Sequence, residues 1–373
     1  MSLVGSIDDL RSRLLFRFLS IPFLLNIFGL LFIYSASSVY ALEKYGNALY
    51  FLKRQLLYTG IGWLSCLLIL FIPFRYIFDY ALVWWLLAFG VTATTLFWAQ
   101  PINGACRWIS IAGVSIQPSE FLAVATILYV TTFLQRHISL QKSFFTLKLI
   151  PFVGLLGLTS YILLAQPDFG STVTLMITVM ALFFVVGIPY RECLIIGSVL
   201  LPCFIALIFT KKYRLIRLMT FLDPWSDPQG RGFQIIQSLL AIGSGKLFGL
   251  GLGLSRQKFF YLPMQHTDFI FSIIAEEIGF IGTSFLLVFY IFFFYYGFLL
   301  SQHASLPQAK LFIIGGVFFI SIKTILNCLV CTGMVPTKGL ALPFISYGRS
   351  ALIAQWILVG LIANSFLAKS DGF

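Results

Sequence analysis

The carboxylate best placed for chemistry is Asp268, in the triplet His266-Thr267-Asp268 that precedes a long apolar run. A carboxyl group at the edge of an apolar segment is partly removed from water, which raises its pKa toward the range of a general base. Capping of the following helix is the alternative interpretation, because Asp is a favoured N-terminal cap. A Ser-His-Asp hydrolase site is not supported, because no nucleophile-elbow serine accompanies His266.

Three further ionisable residues lie inside apolar runs. Glu276 and Glu277 follow Asp268 by two helical turns, and Lys323 lies in the next run. Charged groups within a membrane are costly unless they are paired or line a polar path. We therefore expect Lys323 to pair with these glutamates, either as a structural contact or as part of a substrate path.

Two acidic residues open apolar segments after a proline. Glu120 ends Gln117-Pro118-Ser119-Glu120, and Asp168 lies in Gln166-Pro167-Asp168-Phe169-Gly170. Acidic side chains are favoured in the first turn of a helix, so both are predicted to stabilise helix starts. Glu120 is also expected to need a charge partner at the membrane edge. Both residues remain candidates for a structural role rather than a catalytic one.

The composition indicates the elements that must carry these residues. The chain has 373 residues, of which 59% are hydrophobic and only 10% are charged, whereas soluble domains carry about 25% charged residues. This balance excludes a soluble enzyme, a disordered chain and a disulfide-stapled secreted module. It predicts an all-α polytopic membrane protein with ten transmembrane helices. The predicted spans are 15–38, 55–73, 76–98, 118–135, 149–166, 170–188, 193–210, 269–298, 311–331 and 350–368.

The basic residues orient these spans. The chain has 25 Lys and Arg against 13 Asp and Glu, and short cytoplasmic loops are normally the basic ones. This rule predicts that both termini are cytoplasmic and that the long loop 211–268, between helices 7 and 8, is extracytoplasmic. More than half of the basic residues then face outward. Some could be snorkelling side chains at helix ends, but the bias as a whole predicts an anionic ligand such as phosphate.

A series of motifs in register resembles the SEDS family of bacterial cell-wall glycan polymerases. The motifs are RWI, QPSE, QPDFG, FLDPWSDPQGRGFQ, IGSG, SRQKFFYLP, HTDFIF, AEEIGFIG and PTKGLALPFISYG. The resemblance runs from Arg54 to Asn364. It implies that residues 1–373 form one SEDS-type membrane domain. SRQKFFYLP and PTKG are more similar to the cell-division members of the family than to the elongation members.

The resemblance implies a peptidoglycan glycosyltransferase that polymerises lipid II at the outer face of the bacterial cytoplasmic (inner) membrane during cell division and releases undecaprenyl diphosphate. Asp268 matches the family's essential aspartate. Expected partners are a class B penicillin-binding protein transpeptidase, other division proteins and membrane lipid, with no nucleic acid. A divalent cation, Mg or Mn, could bridge the diphosphate. The residues expected to bind substrate are Arg54, Arg107, Arg256, Lys258, His266, Lys338 and Ser346.

The chain departs from the family pattern at several positions. Ala123 stands where the family usually has the lysine that follows QPSE, and Met264 stands where a glutamate is common. Arg349 replaces the second glycine of SYGGSS, and Ala351 replaces its last serine. Arg349 could add a cation to the site. These departures leave a lipid II flippase or a non-catalytic division scaffold as alternative functions.

Overall fold

The structure is a computed structural model in which apolar helices carry most of the chain. It describes residues 2–99, 106–111, 114–138, 149–188, 212–259, 262–263 and 265–368, with the single positions 190, 191, 194 and 198. The helices are α1 Ser2–Tyr45, α2 Tyr50–Leu70, α3 Phe74–Asp79, α4 Ala81–Trp98, α5 Pro118–Ile138, α6 Leu149–Ala165, α7 Phe169–Val185, α8 Lys212–Leu222, α9 Phe233–Ser244, α10 Ile270–His303, α11 Pro307–Cys331 and α12 Arg349–Leu367.

These helices agree with the prediction of an all-α membrane fold. Within the residues that the structure describes, five segments are long and apolar enough to cross a membrane. They are Asp9–Tyr45, Ala81–Trp98, Ile270–His303, Pro307–Cys331 and Arg349–Leu367. The other predicted spans also coincide with helices, except 193–210, which lies almost wholly outside the described residues. The count of ten transmembrane helices therefore stays a prediction. The third predicted span is divided at Tyr80, where α3 ends and α4 begins.

The segments between the long helices carry short elements that border the site. Strands β1 (Ile109–Ile111) and β2 (Val114–Ile116) form an antiparallel pair just before α5. The predicted outer loop contains α8, a 3₁₀ turn at Pro224–Ser226 and α9. Helix α9 packs on α10 and α11, and its Ile235 and Ile236 are buried. The loop is thus held against the helical core.

Helix α10 is broken in its third turn, at Gly279. Gly279 has φ 68° and ψ −170°, a left-handed backbone that glycine adopts without strain. The amide groups of Phe280 and Ile281 donate to the carbonyls of Lys246 and Leu247, at 2.9 and 3.1 Å. A Cβ atom on Gly279 would collide with the backbone of residues 247–249. The chain of the outer loop therefore supplies hydrogen bonds that the helix itself lacks at this point.

The same contacts continue on the other side of the break. The amides of Leu250 and Gly251 donate to the carbonyls of Glu276 and Glu277, at 2.9 and 3.0 Å. Close approach of two backbones explains Gly245 and Gly249, where a Cβ atom would collide with the carbonyls of Ala275 and Glu277. The sequence 243–253 resembles a nucleotide-binding loop only superficially. We call these backbone hydrogen bonds between residues 246–251 and 276–281 the interlock. The interlock fixes the start of α10, and with it the preceding residues Asp268 and Phe269.

Candidate active site

A cleft lies where the segments after α6 and after α11 meet α8. Its empty volume is about 660 Å³, and it opens to solvent. The polar residues that line it include Arg107, Asp168, Arg217 and Lys338. Three cations around one cavity make a site suited to a phosphate or diphosphate group.

Arg107 is held in place by the turn between α6 and α7. Its Nε donates to the carbonyl of Gln166 at 3.0 Å, and a terminal nitrogen donates to the carbonyl of Pro167. A second terminal nitrogen lies 3.9 Å from Oδ1 of Asp168. Asp168 caps α7 as predicted, since it accepts hydrogen bonds from the amide and hydroxyl of Ser171 at 3.2 and 2.8 Å. The turn therefore presents a pre-oriented guanidinium group at the cleft.

Lys338 and Arg217 line the cleft together with Arg107, and we call these three residues the cationic wall. The Lys338 ammonium lies 5.0 Å from the ring centre of Phe169, and burial lowers the pKa of this lysine to about 8. Arg217 projects from α8 and donates to the carbonyl of Thr337 at 3.4 Å. Because Lys338 is still largely protonated at pH 7, it contributes positive charge to the cleft at neutral pH.

Asp268 borders this wall and is partly buried. A Cβ atom on Gly339 would lie 3.2 Å from its Oδ2 atom, which places the carboxylate against the backbone next to Lys338. Burial raises the pKa of Asp268 to about 6; the nearby charges of Arg107 and Arg217 lower it, and that of Asp168 raises it slightly. A carboxylate with this pKa is ionised at pH 7 yet basic enough to accept a proton.

The prediction that Lys323 pairs with Glu276 or Glu277 is wrong. Its ammonium lies 2.5 Å from Oε2 of Glu120, and both side chains are almost fully buried. Glu120 therefore has a charge partner, although Ala123 removes the lysine that the family pattern supplies. The partner comes from α11, because tertiary packing brings that helix beside α5.

Glu276 and Glu277 instead hold the outer loop. Glu276 accepts a hydrogen bond from the Ser255 hydroxyl at 2.5 Å and another from the Arg256 amide at 2.9 Å. Glu277 accepts from the Ser35 hydroxyl at 2.6 Å and lies 3.8 Å from the Lys258 ammonium. Both carboxylates are buried. These contacts support the structural interpretation of the pair.

Several residues that were expected to bind substrate do not line the cleft. Lys258 is buried, and its ammonium also donates to the carbonyl of Gly253. The Ser346 hydroxyl is buried and accepts from the Leu342 amide at 2.7 Å. Both groups are engaged within the fold, so the predicted contacts of Lys258 and Ser346 with substrate stay predictions.

His266 lies in an aromatic cluster. Its ring centre is 4.4 Å from that of Phe51 and 5.6 Å from that of Tyr347. Burial lowers the pKa of His266 to about 4, so the ring is neutral at pH 7. Its carbonyl accepts from the Tyr347 amide at 2.9 Å. These contacts anchor the loop that carries Asp268, and His266 is not among the residues that line the cleft.

The remaining predicted cations lie outside the cleft lining. Arg54 stacks over the ring of Tyr50 at 4.3 Å, and Arg349 begins α12 beside Tyr347. Arg256 is exposed, and its backbone is fixed by Glu276. Of the cations assigned to the diphosphate from the sequence, the cleft brings together Arg107 and Lys338.

Two residues at the candidate site, Arg217 and Asn327, were not predicted from the sequence. Arg217 was counted among the outer cations, but no motif marks it. Asn327 donates from Nδ2 to the carbonyl of Asp268 at 2.8 Å. A polar side chain inside the apolar helix α11 was the available signal for Asn327, because such residues are costly in a membrane unless they have a role.

A metal site is not formed by histidine, cysteine and carboxylate groups in the part of the chain that the structure describes, where no cluster of three such residues occurs. Asp168 and Asp268 are the carboxylates that border the cleft. Asp168 is already engaged by Ser171. The divalent cation therefore stays a prediction.

Comparison with known proteins agrees with this arrangement. The model of the FtsW/RodA/SpoVE family, described as cell cycle proteins, matches residues 15–370. Stage V sporulation protein E of Bacillus subtilis is 37% identical over 350 residues, covering 92% of this chain and 94% of that protein. The probable peptidoglycan glycosyltransferase FtsW of Geobacter sulfurreducens is 38% identical over 344 residues, covering 91% of both chains.

Solved structures show the same fold. A chain of a peptidoglycan synthase complex, described as coordinating polymerization and crosslinking, aligns with a TM-score of 0.72 and 28% identity, covering 91% of this chain and 96% of that chain. The rod shape determining protein RodA of Thermus thermophilus aligns with a TM-score of 0.69 and 25% identity, covering 94% of this chain and 95% of that chain. With the family model spanning nearly its whole length, the chain belongs to the FtsW/RodA/SpoVE family of cell cycle proteins.

Proposed function

We propose that this protein is a peptidoglycan glycosyltransferase that polymerises lipid II into glycan strands at the outer face of the cytoplasmic membrane during cell division. The observation that carries the proposal is the partly buried carboxylate of Asp268 beside the cleft lined by Arg107, Arg217 and Lys338. Relatives named as probable peptidoglycan glycosyltransferases support the substrate class.

The carboxylate of Asp268 and the cationic wall serve different parts of the proposed reaction. The acceptor sugar hydroxyl attacks the anomeric carbon of the donor and forms the new glycosidic bond. Asp268 takes the hydroxyl proton as general base. The bond between the anomeric carbon and the diphosphate oxygen breaks, and undecaprenyl diphosphate leaves with the electron pair. Arg107, Arg217 and Lys338 stabilise the negative charge that develops on the leaving diphosphate.

A flippase is the alternative function, and the buried charges argue against it. A transport path needs polar groups through the depth of the membrane. Among the described residues, Lys323 and Glu120 form a pair, Glu276 is hydrogen-bonded to Ser255 of the outer loop, and Glu277 contacts Ser35 of α1 and Lys258 of the outer loop. A scaffold without activity would not need a carboxylate beside a solvent-open cleft that three cations line. Polymerisation therefore fits these groups better than transport does.

The test is polymerisation of purified lipid II by the full-length protein, alone and with its class B penicillin-binding protein. That partner class is proposed because a structural neighbour comes from a complex that couples polymerization to crosslinking. Asp268→Asn removes the base with little change in size, so the glycan product should fall at least 100-fold. Asp227→Asn is the matched control, since Asp227 is an exposed aspartate of the same outer loop.

Two results would contradict the proposal. One is undiminished polymerisation by Asp268→Asn. The other is movement of labelled lipid II across vesicles by the wild-type protein without any glycan product, which would favour the flippase.

A further inference from the structure

The search for roles outside the proposed chemistry leads to one buried amide beneath the cleft. We propose that Asn327 is a positioning residue that sets the distance between Asp268 and the cationic wall of the cleft. This inference rests on the proposed function, because it assigns Asn327 a part in placing the proposed base.

The geometry of Asn327 is unusual for a residue inside a membrane helix. Its Nδ2 group donates to two carbonyl oxygens, that of Asp268 at 2.8 Å and that of Leu340 at 2.6 Å. The side chain is 1% exposed. A primary amide has two N–H donors, so one side chain joins two segments that are far apart in sequence.

Both carbonyl groups lie outside regular secondary structure. At the start of α10, the Ser272 amide donates to Phe269 at 3.0 Å rather than to Asp268. The Asp268 carbonyl therefore lies outside the hydrogen-bond ladder of that helix. Leu340 lies between α11 and α12. The Cys331 thiol also lies 3.6 Å from the Asp268 carbonyl, but a thiol is a weak donor. The Asn327 amide is therefore the strong donor that holds both carbonyls.

The second bond connects Asn327 to the cleft itself. Leu340 follows Gly339, against which the carboxylate of Asp268 lies, and Lys338 precedes that glycine. Asn327 thus ties the backbone of the base and the backbone of the cationic wall to the same turn of α11. Loss of the amide would free the two segments to move apart without removing any group that contacts substrate.

The experiment compares Asn327→Leu with Thr324→Val in the full-length protein. Leu has the same number of side-chain heavy atoms as Asn, branched at the same carbon, but no donor. Thr324 is also a buried polar residue of α11, but its hydroxyl donates only within the helix, to the Ile320 carbonyl at 3.0 Å. Thr324→Val therefore reproduces the loss of a buried hydrogen bond without loosening Asp268.

For Asn327→Leu, kcat for lipid II polymerisation should fall on the order of 100-fold, because a displacement of about 1 Å can cost that much. KM should change much less than kcat, because Arg107 is held by the carbonyls of Gln166 and Pro167 and does not depend on Asn327. The acid limb of the pH–rate profile should move below the wild-type position near pH 6, since Asp268 gains contact with water. Thr324→Val should keep the wild-type kcat and acid limb.

Asn327→Ala serves as the second variant, because it removes both donors and cannot clash if the leucine fails to fit. An unchanged kcat and acid limb in a folded Asn327 variant would overturn the inference while Asp268→Asn still tests the proposed function. Equal losses in Asn327→Leu and Thr324→Val, without a shift of the acid limb, would also overturn it. If Asp268→Asn stays active, the proposed function fails instead.

Discussion

At the scale of single residues, burial shifts the pKa values of Asp268 and Lys338 in opposite directions. It raises the pKa of Asp268 to about 6 and lowers the pKa of Lys338 to about 8. Burial disfavours the charged form of each group, which accounts for both shifts. Between these two values the site holds an ionised carboxylate and a protonated amine, the combination that glycosyl transfer from a diphosphate requires.

This pair predicts a bell-shaped pH dependence of kcat/KM. The rate should rise as Asp268 loses its proton near pH 6, because only the carboxylate accepts a proton. It should fall as Lys338 loses its proton near pH 8, because the neutral amine no longer stabilises the diphosphate. In Lys338→Arg the alkaline limb should move above pH 9, since a guanidinium stays charged, and the acid limb should stay in place.

The control for this profile is Lys246→Arg, an equivalent change at an exposed lysine of the outer loop. Both limbs should match the wild type. An alkaline limb that remains near pH 8 in Lys338→Arg would assign that limb to another group.

A second residue-scale prediction concerns the buried pair Lys323–Glu120. Lys323→Gln leaves a buried carboxylate without its counter-ion, so the free energy of unfolding should fall by about 3 kcal/mol. The double variant Lys323→Gln, Ala123→Lys should recover most of this loss. Position 123 is three residues after Glu120 on the same helix, a spacing at which side chains meet.

Thermal unfolding of the protein in detergent measures these changes. Arg13→Gln is the control, because its pair with Asp9 is about 60% exposed on both sides and such pairs contribute little. A double variant no more stable than Lys323→Gln would show that the lysine must come from α11.

At the scale of elements, the broken helix α10 is the feature that positions the site. Its first turns follow directly on Asp268, and its carbonyls at Glu276 and Glu277 accept from the outer loop. The loop and the helix therefore share one backbone hydrogen-bond network. The glycines that permit this contact, Gly249 and Gly279, both have positive φ values.

Gly279→Ala tests this interlock. Alanine at a positive φ is strained and its Cβ would meet the backbone of residues 247–249, so the free energy of unfolding should fall by about 2 kcal/mol or more. Polymerisation should fall as well, because the loop that carries Asp268 loses its anchor. Gly157→Ala is the matched control, since a Cβ there meets nothing within 4 Å. Equal stability of the two variants would contradict the interlock.

At the scale of the whole molecule, the sequence predicted what depends on local pattern. Apolar runs identify membrane helices because the bilayer fixes their length, and Asp168 was identified as a cap because capping depends on neighbours. Pairings across the fold were not predictable. Lys323 was assigned to the nearest acidic residues, but its partner Glu120 is 203 positions away in sequence.

The residues of the candidate site also divide into those that local motifs identify and those that depend on tertiary contacts. Asp268, Arg107 and Lys338 were found from motifs, whereas Arg217 and Asn327 were missed because their roles depend on tertiary contacts. Lys258 was assigned to substrate from its charge and motif, and its contact with Glu277 could not be predicted from the sequence. Burial of a charged side chain becomes visible only once the helices are packed.

The network shared by α10 and the outer loop also makes the folding of the two segments interdependent. Backbone groups left unbonded in lipid are strongly disfavoured, and the amides of Phe280 and Ile281 have their acceptors in residues 246 and 247. The first turns of α10 therefore cannot complete their hydrogen bonds until residues 246–251 lie against residues 276–281. A chain in which either segment is displaced has no fixed position for the candidate base Asp268.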